Sequence, residues 1–339
     1  MTSRALILGL AGTTLSAEDR AALQAADPWG LILFARNIET PDQVAALVAE
    51  ARAVLGRSAP VFVDQEGGRV ARFRPPHWRA APAGGIFAAL YREDPERAVT
   101  ACWLNYQLIA RELSAMGVNA VCAPVLDRPV DGADPIIGDR ALGADADAIT
   151  ALGRATLEGL ARGGAAGVIK HIPGHGRAQA DSHLTLPVVD ASGAELAATD
   201  FEPFRRLNQA PMAMTAHVTY VALDPTAPAT VSDRVIAEVI RGAIGFDGLL
   251  MSDDLAMAAL DGALVDRARA ALQAGCDVVL HCPGRTEDAR ALADITPRLA
   301  GASLERADRA FAEVERTPDW DAVAAEAELA QILGGGVSA

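Results

Sequence analysis

The chain has 339 residues, of which 51% are hydrophobic and 22% are charged, a composition typical of a folded globular protein with a large core. Its net charge of −14 argues against nucleic acid or an anionic membrane as a partner, because both would repel the protein. The cysteines have the spacing of neither a zinc knuckle nor a dense disulfide framework, so we expect a reducing compartment. They are Cys102, Cys122, Cys276 and Cys282.

Short apolar runs alternate with longer amphipathic stretches along the whole chain. The first run follows Arg4 and has the outline of a minimal signal peptide, but it is short for one and has no convincing cleavage site, so it predicts a buried strand. The runs that predict strands are residues 5–11, 31–34, 61–64, 118–124, 167–171, 212–217, 249–253 and 277–281. Helical patterns lie between most of them, for example at residues 41–55, 94–116, 146–162, 232–244 and 264–274.

This alternation predicts an α/β fold. Near-continuous apolar strands joined by helices indicate a parallel sheet covered on both faces, and the count of eight favours a closed (β/α)8 TIM-type barrel over an open sheet. No Pro/Gly/Ser-rich joint divides the chain, so we expect residues 1–339 to form a single catalytic barrel domain. Residues 303–333 predict extra C-terminal helices on the barrel, and residues 334–339 predict a tail.

The later predicted strands end in polar residues that can carry chemistry. In such barrels the active site forms at the carboxyl ends of the strands, so we expect these side chains to converge on one mouth. They are Asp64, Asp127 just after its strand, Lys170, His171, His217, Asp253 and His281.

Residues 170–187 form the most informative segment, since three of the six histidines fall within it. The segment lacks the apolar periodicity of a helix or strand, and Gly174 and Gly176 indicate a loop of the kind that often carries function. Asp181 and His183 are two positions apart, so the carboxylate can tune the proton affinity of the imidazole near neutral pH.

Two carboxylates at strand ends suit sugar chemistry. Successive strand residues face opposite ways, so one of Asp253 and Asp254 points into the mouth. We predict Asp253 as the nucleophile or base, and Asp254 as a cap of the following helix. Asp64 can accept two hydroxyl hydrogen bonds, as a sugar-binding carboxylate does. Residue type alone leaves binding and structural roles open for Arg69, Arg72 and Arg140.

A histidine can complete this chemistry. Retaining glycoside hydrolysis normally uses two carboxyl groups, one as nucleophile and one as proton donor. An imidazole has an unperturbed pKa of about 6.5, so with a neighbouring carboxylate it can protonate a leaving oxygen and later deprotonate water.

Several motifs resemble glycoside hydrolase family 3, in particular its bacterial β-N-acetylglucosaminidase (NagZ-type) branch. The resemblance runs from Leu31 to about Gly284. The motifs are residues 63–70 (VDQEGGRV), 170–176 (KHIPGHG), 181–183 (DSH) and 252–255 (SDDL), with 215–217 (TAH) and 244–248 (IGFDG) in addition.

This resemblance implies a barrel enzyme that removes terminal β-linked N-acetylglucosamine with retention. It implies Asp253 as nucleophile, and His183 as acid/base on a mobile loop, oriented by Asp181. The implied sugar-binding set is Asp64, Arg72, Arg140, Lys170 and His171, with His217 as a nearby contact or a supporting residue. The implied substrate is N-acetylglucosaminyl-1,6-anhydro-N-acetylmuramic acid, with or without its peptide, met in the cytoplasm during peptidoglycan recycling. We expect a monomer without cofactor or metal.

Three alternatives stay open. A metal-dependent barrel hydrolase could use the mouth histidines with Asp253, although their uneven spacing on one loop argues against it. A phosphorylase could open the glycosyl-enzyme with phosphate, because a neutral imidazole repels phosphate less than a carboxylate would. A sugar-binding protein without turnover would not need the set of Asp253, His183 and Asp181.

Overall fold

The computed structural model describes residues 2–182, 184–315 and 319–334. Eight parallel strands close into a barrel in which each strand pairs with the next in the chain, and the last pairs with the first. The predicted (β/α)8 fold is therefore confirmed. In chain order, β1 to β8 are Arg4–Gly9, Pro28–Leu33, Val61–Val63, Ala120–Val121, Ala166–Ile172, Met212–Thr215, Leu249–Asp254 and Val278–His281.

The strands read as apolar runs because both of their faces are buried. Alternate residues from all eight strands, such as Ile7, Phe62 and Met251, form one cluster inside the barrel. The residues between them, such as Leu6 and Val63, pack outward against the helices. Because the residues on both faces of each strand are buried, these strands do not alternate between apolar and polar residues as the strands of a sheet with one solvent-exposed face do.

The surrounding layer is helical. The α-helices α1 to α11 are Ala17–Ala26, Pro41–Leu55, Gly84–Glu93, Pro95–Ser114, Ala146–Gly163, Gly193–Ala198, Phe201–Arg206, Leu264–Ala274, Thr286–Ile295, Gly301–Arg309 and Ala322–Ile332. A π-helix spans Val235–Ala243 inside the predicted helix 232–244, and short 3₁₀ turns span Ala35–Asn37, Gly138–Arg140 and Ala229–Val231. The sequence predicts the start of α2 well, because Thr40 caps it and Pro41 occupies the first turn.

The fourth strand differs most from its prediction. Residues 118–124 predict a strand, yet β4 holds only Ala120–Val121. The regular pairing ends at Val121, because Ala123 donates its backbone N–H to the Val121 carbonyl within its own chain segment, and Pro124 has no N–H with which to resume the ladder. Beyond it, Lys170 donates its backbone N–H to the Pro124 carbonyl, and Leu126 donates to the Lys170 carbonyl.

Two small sheets near the carboxyl ends of the strands were not predicted. Gln65–Gly67 pairs with Val70–Ala71 in a hairpin, and Val188–Val189 pairs with Thr219–Tyr220. Strands of two or three residues are too short to show periodicity. A cavity of about 800 Å³ lies at the opposite end, against the first residues of β5 and the residue before β7. No helix in the described ranges is long and apolar enough to cross a membrane.

Helices α4 and α5 pack closely because α5 presents glycines to α4. A Cβ on Gly159 would lie 2.4 Å from the Trp103 carbonyl oxygen, and one on Gly163 would lie 2.3 Å from that of Gln107. Those carbonyls belong to helical backbone, which cannot yield as a side chain can. Gly159 therefore serves close approach at the expense of helix propensity.

We predict that Gly159→Ala destabilises the protein by about 2 kcal/mol. Alanine is intrinsically better in a helix by about 1 kcal/mol, but a contact of 2.4 Å with fixed backbone puts the overpacking cost at the upper end of about 1–3 kcal/mol, which leaves a net loss of about 2 kcal/mol. The measurement is the midpoint of urea or thermal unfolding. Gly193→Ala in α6 is the control, since its new methyl would meet nothing closer than 3.9 Å. A Gly159→Ala variant as stable as wild type would contradict this account of the packing.

Candidate active site

The inward face of the barrel delivers three of the predicted site residues to one layer. Continuing the alternation two residues past the interior residues Phe62, Val168 and Met251 gives Asp64, Lys170 and Asp253. All three therefore lie at the carboxyl ends of their strands, facing the mouth.

Asp64 lies in a network of buried and half-buried charges. The Lys170 Nζ lies 2.9 Å from Asp64 Oδ1 and 2.7 Å from Glu66 Oε1. Arg72 Nη2 lies 3.0 Å from Asp64 Oδ2, and Arg140 donates two hydrogen bonds of 2.8 Å to the carboxylate of Glu66. The network thus brings together Asp64, Arg72, Arg140 and Lys170 from the predicted sugar-binding set.

These contacts set the protonation states. Burial alone would raise the pKa of the Asp64 carboxyl, but the charges of Lys170 and Arg72 hold it well below its usual range. Glu66 follows the same pattern, since burial is outweighed by Lys170 and Arg140 and its pKa is lowered. Burial disfavours the Lys170 ammonium, yet the two carboxylates raise its pKa. All of these groups are charged at neutral pH.

Glu66 was missed as a member of the site. Its side chain is 5% exposed and holds both Arg140 and Lys170 in place. It lies two residues after Asp64 in the hairpin that begins at Gln65, so two-residue alternation could have identified it. The hairpin itself could not be predicted, because its strands of three and two residues are too short to show a period.

Asp127 fixes the beginning of the loop that follows β5. Its Oδ2 lies 2.6 Å from His171 Nδ1, and its Oδ1 accepts the backbone N–H of His171 at 3.1 Å and of His175 at 2.6 Å. Burial would raise the pKa of Asp127, but His171 and His175 lower it to about 2. The sequence placed Asp127 at a strand end, but only the structure shows it organising two histidines.

The two neighbouring aspartates of β7 differ in their partners. Asp253 Oδ1 accepts the backbone N–H of Asp254 at 2.8 Å. Asp254 Oδ1 accepts the N–H of Ala256 at 3.0 Å and that of Cys282 at 3.1 Å. Asp254 therefore closes a turn and ties β7 to β8. The prediction that Asp254 caps the next helix is wrong, because α8 begins only at Leu264.

Asp253 is available for chemistry. Burial would raise its pKa, but His217, His171, the Asp254 N–H and Lys170 together lower it, so the carboxyl is ionised at neutral pH. Asp64 and Glu66 each form an ion pair with Lys170 within 3 Å, and Asp127 lies 2.6 Å from His171 Nδ1. Within the described ranges Asp253 forms no ion pair within 4 Å, so its lone pairs are less committed than theirs.

His217 is fully buried beside β7. Its Nε2 lies 3.1 Å from the Asp254 carbonyl oxygen and its Nδ1 lies 2.7 Å from Thr230 Oγ1. A carbonyl only accepts, so Nε2 carries the proton and Nδ1 accepts from the hydroxyl. Burial lowers the pKa of His217 although Asp253 opposes the shift, so the ring is neutral. The side chain has no exposed surface to offer a ligand.

The loop from Lys170 to Pro187 is only partly described. His183, the predicted acid/base, lies outside the described residues. Asp181 is described and takes part in an interaction with a partner. Between them in the chain, Ser182 places its Oγ 3.2 Å from His175 Nε2.

Two other predicted residues lie elsewhere in the mouth region. Arg69 pairs with Asp139 at 2.8 Å on the surface, and it donates to the Ile136 carbonyl that also accepts from Arg140. His281 pairs with Asp288 at 2.8 Å, and its other ring nitrogen lies 4.0 Å from Asp254 Oδ1. Across the described residues, no three His, Cys, Asp or Glu side chains come together as a group that could hold a metal ion.

We predict that Asp127 contributes acid-sensitive stability. Its pKa is about 2 in the folded state and about 3.8 when unperturbed, so the contribution is complete above about pH 4 and is lost as pH falls toward 2. Between pH 5 and pH 3 this amounts to roughly 1 kcal/mol. Urea unfolding of wild type and Asp127→Asn at the two pH values measures this contribution, and the variant should lose less stability on acidification.

The control is Asp139→Asn, which removes an exposed carboxylate and should keep the wild-type slope of unfolding free energy against pH. Equal slopes for wild type and Asp127→Asn would refute the role of Asp127.

Comparisons with known proteins agree with this geometry. The family model described as the N terminal domain of glycosyl hydrolase family 3 matches residues 7–316. A beta-hexosaminidase of Alkalilimnicola ehrlichii is 46% identical over 281 residues, covering 82% of this chain and 80% of that protein. A beta-hexosaminidase of Thiobacillus denitrificans is 41% identical over 313 residues, covering 90% and 86%. The crystal structure of NagZ from Neisseria gonorrhoeae in complex with N-trifluoroacetyl-D-glucosamine has a TM-score of 0.87 at 33% identity, covering 100% of this chain and 99% of that one. The chain belongs to glycosyl hydrolase family 3.

Proposed function

We propose that the protein is a retaining exo-β-N-acetylglucosaminidase, a β-N-acetylhexosaminidase that removes terminal non-reducing β-linked N-acetylglucosamine. The observation that carries this proposal is the state of Asp253, an ionised carboxylate at the mouth whose lone pairs are not held in an ion pair within the described ranges. The names of the relatives and the N-acyl glucosamine in the neighbouring crystal structure support the choice of sugar.

The charged network beside Asp253 is suited to hold a sugar. Asp64 keeps acceptor capacity beyond its bonds to Lys170 and Arg72, because an ionised carboxylate has about four lone-pair positions. The Lys170 ammonium has three N–H bonds and donates two of them to Asp64 and Glu66, which leaves the third for a ligand. We assign Asp64, Lys170, Arg72 and Arg140 to hydroxyl and carbonyl groups of the sugar, with His171 beside them.

In the first step an Asp253 oxygen attacks the anomeric carbon as the bond from that carbon to the leaving oxygen breaks. His183, oriented by Asp181, gives its proton to the leaving oxygen. In the second step His183 takes a proton from water, the water oxygen bonds to the anomeric carbon, and Asp253 leaves. His217 supports this chemistry indirectly, since it holds the backbone of Asp254 and contributes its ring next to the nucleophile.

The physiological substrate we propose is N-acetylglucosaminyl-1,6-anhydro-N-acetylmuramic acid, with or without its peptide. We propose in addition that the protein acts in the cytoplasm, in peptidoglycan recycling, as a monomer that needs no cofactor. Lone buried cysteines agree with a reducing compartment, since Cys102, Cys122, Cys276 and Cys282 are all free thiols.

The substrate class is tested with a panel of aryl β-glycosides. We expect the N-acetylglucosaminide to be cleaved with a kcat/KM at least about 100-fold above the glucoside, because the binding groups would be left unpaired by the wrong sugar. The assay is run with and without phosphate, and after exhaustive chelation. Free N-acetylglucosamine as product in phosphate buffer supports hydrolysis, whereas its 1-phosphate would make the protein a phosphorylase. Loss of activity on chelation would favour a metal-dependent hydrolase.

The nucleophile is tested by a matched pair of variants. Asp253→Asn should lower kcat by about 10⁴-fold or more, because an amide cannot form the glycosyl-enzyme. Asp254→Asn should cost less than about 10-fold, since the amide oxygen can still accept the two backbone N–H groups. A fluorinated analogue that traps the intermediate should label the peptide containing residues 249–254, as seen by mass spectrometry. Labelling of a different carboxylate would exclude Asp253.

A further inference from the structure

His175 and Ser182 form a contact that the proposed reaction leaves without a role. His175 Nε2 lies 3.2 Å from Ser182 Oγ, and each residue is 4% exposed. The two are seven positions apart in the chain, so the contact closes the loop back on itself. A buried hydrogen bond between side chains of one loop restricts the conformations that the intervening residues can adopt.

The His175 end of this contact is fixed to the barrel. The His175 backbone N–H donates to Asp127 Oδ1 at 2.6 Å, and Tyr220 donates its hydroxyl to the Gly174 carbonyl at 2.7 Å. Gly176 passes so close to the Arg128 carbonyl that a Cβ would lie 1.9 Å from that oxygen. Three contacts on consecutive residues therefore set the position of the His175 ring.

The Ser182 end lies next to the groups that the proposed reaction needs. Ser182 separates Asp181 from His183 in the sequence. Its carbonyl oxygen accepts the backbone N–H of Ala259, which follows the strand that bears Asp253. Ser182 thus joins this part of the loop to the scaffold.

We propose that the His175–Ser182 hydrogen bond is a positioning contact for proton transfer, because it fixes Ser182, the residue between Asp181 and His183 in the chain. This inference rests on the proposed function, because it assigns His175 and Ser182 to the acid/base half of that reaction. Neither residue touches the reacting atoms, so both are positioning residues.

The chemistry of the pair suits a fixed contact. Burial and the neighbouring His171 lower the pKa of His175 to about 4, although Asp127 and Asp253 oppose the shift. The ring therefore stays neutral from about pH 5 upward, and its Nε2 can share a hydrogen bond with the serine hydroxyl, which is able to donate or to accept. A neutral imidazole with this pKa is a poor proton donor at pH 7, which separates His175 from the role of His183.

The test compares two substrates that need different amounts of protonation. One is the 2,4-dinitrophenyl β-N-acetylglucosaminide, whose leaving group departs without help, and the other is the methyl β-N-acetylglucosaminide. In Ser182→Ala we expect kcat/KM to fall about 10- to 100-fold for the methyl glycoside and less than about 3-fold for the dinitrophenyl glycoside. His183→Ala should show the same pattern with a larger loss. Thr185→Ala, an exposed residue of the same loop, is the control and should match wild type.

A double-mutant cycle then checks that the hydrogen bond itself is responsible. His175→Asn and the double variant with Ser182→Ala should lose no more on the methyl glycoside than the worse single variant loses. Equal losses on both substrates, no loss on either, or additive losses in the cycle would each overturn the proposal. Wild-type protein that cleaves neither glycoside would instead refute the proposed function.

Discussion

The site depends on the burial of one ammonium group between two carboxylates. Lys170 is 3% exposed at its side chain and contacts both Asp64 and Glu66. An isolated buried charge costs several kcal/mol, so each member of this network requires the others. Arg72 and Arg140 complete the balance from the two sides. The network therefore gives the mouth a fixed arrangement of donors and acceptors before any ligand arrives.

Charge balance also distinguishes the carboxylates from one another. Asp64, Glu66 and Asp127 are tied to cations or imidazoles, and those contacts make them good binders but poor nucleophiles. Asp253 receives its stabilisation from charges farther away and from one backbone N–H. Among the residues that the structure describes, it has no ion-pair partner within 4 Å, which is the condition that attack on a carbon atom requires under the proposed mechanism.

The barrel could be predicted from the sequence, because a strand that is buried on both faces is a nearly continuous run of apolar residues. The eight runs and their order follow from this burial. Two-residue alternation predicted that one of Asp253 and Asp254 faces the mouth, and the interior position of Met251 puts Asp253 on that face. The hairpin that carries Glu66 could not be predicted, since strands of two or three residues have no measurable period. Glu66 itself was missed, although it lies two residues after Asp64 and alternation from Asp64 leads to it. The partners of Asp127 could not be predicted either, because its contact with His175 depends on the path of the His175 backbone in the folded chain.

The division of the site between strands and a loop has a chemical reason under the proposed mechanism. Asp253 acts on one atom, the anomeric carbon, in both steps, so a rigid strand end is the best support for it. The acid/base group must serve two positions, first the leaving oxygen and then the incoming water. A loop can supply that range if it is anchored at defined points. Asp127 anchors its beginning, and the carbonyl of Ser182 joins its later part to the segment after Asp253. These two anchors restrain the chain from His175 to Ser182, which leads directly into the proposed acid/base residue in the sequence.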